Sequence, residues 1–131
     1  MAKARPFRVG RSQTGLGLFA TTAIANGAII VEYEGPRIPT ALARELDRRR
    51  ANKYLFEIDS RWTIDGSARS NLARYVNHAC EPNAEAQLVR GRMVYRAIKR
   101  IQPGEEITID YGEEHVQLYF DDGCKCTACR T

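Results

Sequence analysis

The turn signals in this chain are spaced so closely that they leave room for little except short strands. Asn26-Gly27, Glu34-Gly35-Pro36, Asp59-Ser60-Arg61, Pro82-Asn83, Arg90-Gly91 and Gln102-Pro103-Gly104 divide it into brief runs. Residues of these types punctuate a chain because each suits a tight turn for its own steric or hydrogen-bonding reason. Between them lie PFRV (6–9), AIIVEY (28–33), YLFEI (54–58), WTID (62–65), AEAQLV (84–89) and RMVYRAI (92–98). Apolar, β-branched runs of this length read as strands, and the pair flanking Arg90-Gly91 reads as a hairpin. One segment differs. Residues 40–53, TALARELDRRRANK, set Leu42 and Leu46 four apart and offer Thr40 as an N-cap. They also gather Arg48, Arg49 and Arg50 toward the end where the helix dipole favours cations. That predicts one helix with a solvated basic face. The fold class is therefore mainly β, several small sheets with one short helix, in a single domain of 131 residues.

Charge is distributed unevenly. Residues 1–104 carry 18 Lys and Arg against 9 Asp and Glu, whereas residues 105–123 carry 7 acidic residues and no basic one. An acidic segment beside an active site would favour a Lys- or Arg-rich substrate. The basic remainder comes with no RNA- or DNA-binding motif, so nucleic acid is not indicated as a partner. No apolar run approaches the ~20 residues of a membrane span. The start, MAKARPFRVGR, lacks the apolar stretch of a secretory signal. A soluble, intracellular protein is expected, cytoplasmic in a bacterium or nuclear in a eukaryote. Oligomeric state leaves no mark in the sequence.

The four cysteines are Cys80, then Cys124, Cys126 and Cys129 in GCKCTACRT. In an intracellular chain they argue for metal over disulfides. The terminal three are too crowded to pair comfortably with one another, but C-x-C-x-x-C suits a thiolate cluster. Cys80 would complete the Cys₄ set that a structural zinc prefers.

Gly15-Leu16-Gly17-Leu18-Phe19-Ala20 matches the G-x-G-x-x-[GA] dinucleotide fingerprint. The fingerprint requires a helix and a returning parallel strand. Here only LFATTAIA precedes Asn26-Gly27, which fits a strand. The glycines then mark a loop where backbone approaches a ligand. The densest chemistry lies in residues 71–83, NLARYVNHACEPN, where Asn77, His78 and Cys80 follow a short apolar turn and Pro82-Asn83 forces another.

Residues 74–83, RYVNHACEPN, resemble R-[FY]-[IV]-N-H-x-C-x-P-N, the signature of SET-domain protein-lysine methyltransferases. Residues 104–111, GEEITIDY, are similar to that family's G-E-E-[IL]-T-x-D-Y, and EYEG at 32–35 to its E-Y-x-G. The likeness runs from about Arg8 to Cys129. It implies a SET fold in which the segments around Asn77 and Tyr111 meet in a knot-like crossing, with a SET domain at 1–112 and a post-SET zinc tail at 113–131. It implies transfer of methyl groups from S-adenosylmethionine to the ε-amine of lysine in a basic protein such as a histone. Tyr111 would be the catalytic tyrosine and Tyr33 a second wall of the lysine channel. Thr14, Gly15, Leu16 and Gly17, with Tyr54, Arg74, Asn77 and His78, would bind the cofactor. Ile109, Tyr119 and Phe120 would line or cover the channel, and Cys80, Cys124, Cys126 and Cys129 would hold zinc. Two departures stand out. The tail has C-x-C-x-x-C where the family usually has two more residues before its last Cys, and Ile109 replaces the common Phe or Tyr. Lacking a hydroxyl to hold a water beside the amine, Ile109 predicts products beyond monomethyl-lysine. Two other classes make different predictions. A catalytically silent SET-like module would bind S-adenosylmethionine without turnover, and a basic zinc module would bind nucleic acid in a salt-dependent way.

Overall fold

The computed structural model describes residues 5–12 and 15–112. Among these residues ten strands, β1 (Phe7–Ser12), β2 (Gly15–Ala20), β3 (Ile29–Glu32), β4 (Arg37–Pro39), β5 (Leu55–Glu57), β6 (Trp62–Asp65), β7 (Asn77–His78), β8 (Ala84–Val89), β9 (Arg92–Ala97) and β10 (Glu106–Ile109), form three small sheets. Their orders are β1-β2-β10-β7, β3-β9-β8 and β4-β6-β5. A nine-residue helix, α1 (Thr40–Arg48), and a 3-10 turn, Leu72–Tyr75, complete the set. The mainly β expectation is met: β3, β5, β6, β8 and β9 fall within one residue of the expected runs, β1 extends three residues past PFRV, and β4 and β7 were not expected.

The sheets close on one core. Leu18, Ile101 and Ile107 are completely buried, and Val76 and Ala73 nearly so. Burial of each large aliphatic side chain contributes about 1.5–3 kcal/mol. On β10 the alternation is regular: Ile107 and Ile109 are buried while Glu106 and Thr108 are half-exposed, the period of two that a strand with one core face requires. The hairpin between β8 and β9 turns through Arg90 and Gly91, both at positive φ (51° and 78°). Those angles match the sense of twist that two-residue hairpin loops need.

Three local readings are corrected. Gly15 and Gly17 lie inside β2, with Gly17 opposite Gly10 and Gly15 opposite Ser12, rather than in a loop. The helix ends at Arg48 instead of continuing to Lys53, because Arg50 turns to φ 53°. The Arg50 and Ala51 amides then donate to the Asp47 and Leu46 carbonyls, a Schellman closure. Thr40 is not the cap: Pro39 occupies that position and Thr40 is the first helical residue. The Thr40 hydroxyl donates to the Asp59 carbonyl at 2.9 Å and lies 2.9 Å from the Thr63 hydroxyl, which binds the helix to the third sheet.

The decisive contact for the site is between two late segments. Asn77 and His78 of β7 pair in parallel with Thr108 and Ile109 of β10. Parallel neighbours need a long connection, and β8 and β9 lie within it. Asn83, expected only as a turn residue, adds to this junction. Its amide donates to the Glu106 carbonyl at 2.8 Å and accepts from the Thr108 N–H at 2.9 Å, satisfying two backbone groups of β10.

Candidate functional site

Tyr111 follows β10 and is fixed through both its backbone and its ring. Its N–H donates to His78 Nδ1 at 2.9 Å, and its hydroxyl donates to the Val76 carbonyl. Because His78 Nδ1 accepts, the imidazole carries its proton on Nε2, which faces Cys80 Sγ at 3.5 Å. Burial holds the His78 pKa below its ordinary value, against the opposing pull of Asp110. The ring is thus a neutral structural link between the Tyr111 backbone and Cys80. Burial also holds the Tyr111 phenol above its ordinary pKa, helped by Tyr54 and Glu106. Tyr111 stays protonated at neutral pH and acts as a donor, not as a base.

A cluster of aromatic rings adjoins it. Tyr33 packs edge-on against Phe56, with ring centroids 5.2 Å apart, and lies 6.0 Å from Tyr95. Its hydroxyl donates to the Tyr54 carbonyl at 2.6 Å. Burial raises the Tyr33 pKa, and the neighbouring Tyr111 adds to the effect. Gly66 permits this packing: a Cβ there would come within 2.3 Å of the Tyr33 ring. Asn71, almost fully buried, donates to the Gly66 carbonyl and accepts from the Glu34 N–H, both at 3.0 Å.

The residues expected to bind the cofactor fall into two groups. In one, the Arg74 guanidinium stacks over the Tyr54 ring at 4.2 Å and donates to the Ser67 carbonyl. In the other, the Asn77 amide nitrogen contacts the Leu16 carbonyl at 3.0 Å, Ser12 Oγ at 3.1 Å and Glu106 Oε2 at 2.7 Å. Asn77 therefore ties the glycine strand to β10. A Cβ on Gly17 would meet Glu106 Oε2 at 2.4 Å and Asn77 Nδ2 at 3.1 Å, so only glycine fits unstrained.

The sheets bring Tyr33, Tyr54, Arg74 and Tyr111 to one region and Gly15, Leu16, Gly17 and Asn77 to the edge beside it. The expectations for Thr14, Tyr119, Phe120, Cys124, Cys126 and Cys129 lie outside the described residues. Among the described residues no group of three or more His, Cys, Asp or Glu could hold a metal ion. Cys80 itself is exposed. Sequence reasoning missed Tyr95 and Phe56 in the aromatic cluster, and the bridging amides of Asn71 and Asn83.

The family model described as "SET domain" matches residues 15–112. The chain belongs to the SET-domain family. Histone-lysine N-methyltransferase trithorax of Drosophila virilis is 37% identical over 124 residues, which cover 88% of this chain and 3% of that protein. Histone-lysine N-methyltransferase set-2 of Caenorhabditis elegans is 38% identical over 125 residues, 88% of this chain and 8% of that one. Among solved structures, ctPRC2 in an autoinhibited conformation bound to S-adenosylmethionine superposes with a TM-score of 0.71 at 32% identity. That match covers 84% of this chain and 15% of that chain. The chain therefore spans a small part of the relatives it matches. In this SET domain no helix of the described residues is long and apolar enough to cross a membrane.

Proposed function

We propose that this SET domain transfers methyl groups from S-adenosylmethionine to the ε-amine of lysine in a basic protein, with histones the leading substrate class. The observation that carries the reading is the junction of β7 and β10. It sets a half-buried, protonated Tyr111 beside an aromatic cluster and close to the glycine strand. The similar relatives, histone-lysine N-methyltransferases, support the substrate class.

The described residues fit the cofactor on two counts. Arg74 Nε is a buried donor with no hydrogen-bond partner among the described residues, which suits an acceptor brought in by a ligand. Gly15 leaves open space at the start of β2, with nothing within 4 Å of where a Cβ would stand, so a ligand can approach the backbone there. Arg74, Tyr54, Asn77, His78 and the segment from Thr14 to Gly17 would hold it. When bound, S-adenosylmethionine supplies a methyl group activated by its sulfonium.

The chain's own residues then address two problems. The attacking amine must be neutral, and at a reference pKa near 10.4 only about one lysine in a few thousand is neutral at pH 7. An apolar channel walled by Tyr33 and Tyr111 disfavours the charged ammonium and lowers that pKa. The amine must also lie in line with the methyl group, and such orientation can supply several kcal/mol. The Tyr111 hydroxyl is restrained by the Val76 carbonyl and so presents its oxygen in one direction. The proton released by the amine leaves toward solvent, since a phenol with a raised pKa does not take it. Tyr119 and Phe120 would cover the channel, and Ile109 leaves room for products beyond monomethyl-lysine.

Cys80, Cys124, Cys126 and Cys129 would bind one structural zinc, with residues 1–112 as the SET domain and 113–131 as a zinc tail. Exposure of Cys80 beside the His78 Nε2–H supports a thiolate there. An intracellular location, nuclear in a eukaryote, follows from the histone reading. Incubation with labelled S-adenosylmethionine and core histones, followed by mapping of the methylated residue, tests the reading. Label on a lysine side chain is expected, and cofactor binding without transfer to any lysine protein would refute it.

A further inference from the structure

Four tyrosines belong to the aromatic region: Tyr54 is half-buried under the Arg74 guanidinium, and the hydroxyls of Tyr33 and Tyr111 are committed to backbone carbonyls. Tyr33 donates to the Tyr54 carbonyl and Tyr111 to the Val76 carbonyl. The Tyr54 carbonyl also accepts the Gly66 N–H at 2.9 Å, so both of its lone pairs are used. Tyr95 differs. It is 2% exposed, sits mid-strand on β9 between Val31 of β3 and Ala86 of β8, and its ring centroid is 6.0 Å from Tyr33 and 6.4 Å from Phe56. Its hydroxyl makes no hydrogen bond among the described residues, yet it is not one of their fully buried unpartnered atoms, of which Arg74 Nε is the one, so the oxygen at the end of this buried ring keeps some access. A tyrosine hydroxyl ordinarily finds a partner. Packing alone would be served as well by phenylalanine. Burial raises the Tyr95 pKa, and both Tyr33 and Tyr111 add to it, which puts all three phenols in one electrostatic neighbourhood.

We propose that Tyr95 is a specificity-determining residue, whose hydroxyl meets the ε-nitrogen of the incoming lysine, directly or through one water, and favours the unmethylated amine. The inference rests on the lysine-transfer reading above. A neutral amine directs its lone pair at the methyl donor, so its two N–H groups need acceptors on the channel wall. An uncommitted hydroxyl oxygen provides one. Each methyl group added removes one N–H, so the advantage of that acceptor declines from unmethylated to dimethylated lysine.

The test compares wild type with Tyr95→Phe on a histone H3 N-terminal peptide whose target lysine is unmethylated, monomethylated or dimethylated. One neutral hydrogen bond corresponds to about a two- to tenfold change in an equilibrium constant. The variant is expected to show a KM for unmethylated peptide raised by about that factor, with a much smaller change for dimethylated peptide. Early products should shift toward higher methylation. The melting temperature should be unchanged, because no protein partner is lost. Equal effects on all three peptides, no effect on any, or a lowered melting temperature would overturn the role of Tyr95 while leaving the transfer reading intact. A wild-type protein that transfers nothing to the peptide or to core histones would overturn both.

Discussion

Tyr111 owes its position to two contacts that reach across the chain, one from its amide to His78 and one from its hydroxyl to Val76. Tyr111→Phe keeps the first and removes the second. It is expected to lower kcat by about 100-fold or more while S-adenosylmethionine affinity changes little. Single-turnover kinetics with a parallel binding titration checks this, and unchanged turnover contradicts it. His78 leads to a pH prediction. Its folded pKa lies below an unfolded value of about 6.5, so the unfolded chain takes up the proton first. The associated stability is complete above about pH 6.5 and is lost as pH falls through the folded value. Urea denaturation should give lower stability at pH 5.5 than at 7.5, with a smaller difference in His78→Asn. A wild type equally stable at both would contradict a neutral His78. At this scale the sequence was legible where a residue sat in a dense motif, as for Asn77 and His78. Tyr95 lay in a plain apolar run, and nothing local marks a tyrosine whose neighbours arrive from other strands. Asn71 and Asn83 sat inside the motif, but a buried bridging amide and a turn asparagine look alike in sequence.

Strands and turns were more legible than their partners. Arg90-Gly91 announced the hairpin of β8 and β9, whereas GEEITIDY stood out as a family motif and its central residues form β10. The meeting of β7 with β10 was implied only by the family resemblance; its parallel pairing could not be read locally, because two residues have no periodicity and the partner is about thirty positions away. The helix end was misjudged because Arg50 adopts a left-handed conformation that favours glycine. Arg50→Gly should therefore stabilise the protein by about 1 kcal/mol without changing activity, as measured by chemical denaturation. A loss of stability would contradict the Schellman reading. On β10, Ile109 is 3% exposed and belongs to the same buried cluster against which Tyr111 packs. If its side chain borders the lysine channel, Ile109→Tyr should shift products toward monomethyl-lysine while the first transfer continues. A ring forced into closed core would instead cost about 1–3 kcal/mol and leave the product distribution unchanged. Mass spectra over a time course, beside a melting curve, separate the two.

At the scale of the whole molecule, the described residues form a closed β core, and the zinc tail at residues 113–131 is a proposal from sequence. Leu18, Ile101 and Ile107 are fully buried and belong to one cluster of described core residues, so the core should survive without metal. Metal analysis is expected to find one zinc per chain, and chelation to abolish transfer while most β-sheet circular dichroism remains. Zinc-free protein with full activity would contradict the tail's role. That the fold is built of several small sheets followed from turn spacing, but their number and arrangement did not, since these depend on long-range pairings that no local signal encodes. The central claim is that the β7–β10 junction assembles a lysine methyltransferase site. Its most direct test is intact-mass and fragment-ion analysis of core histones incubated with S-adenosylmethionine and either wild type or Tyr111→Phe. The predicted result is additions of about 14 Da, one per methyl group, on lysine side chains with wild type and almost none with the variant. Equal methylation by the two proteins, or none by wild type on any lysine protein, would contradict it.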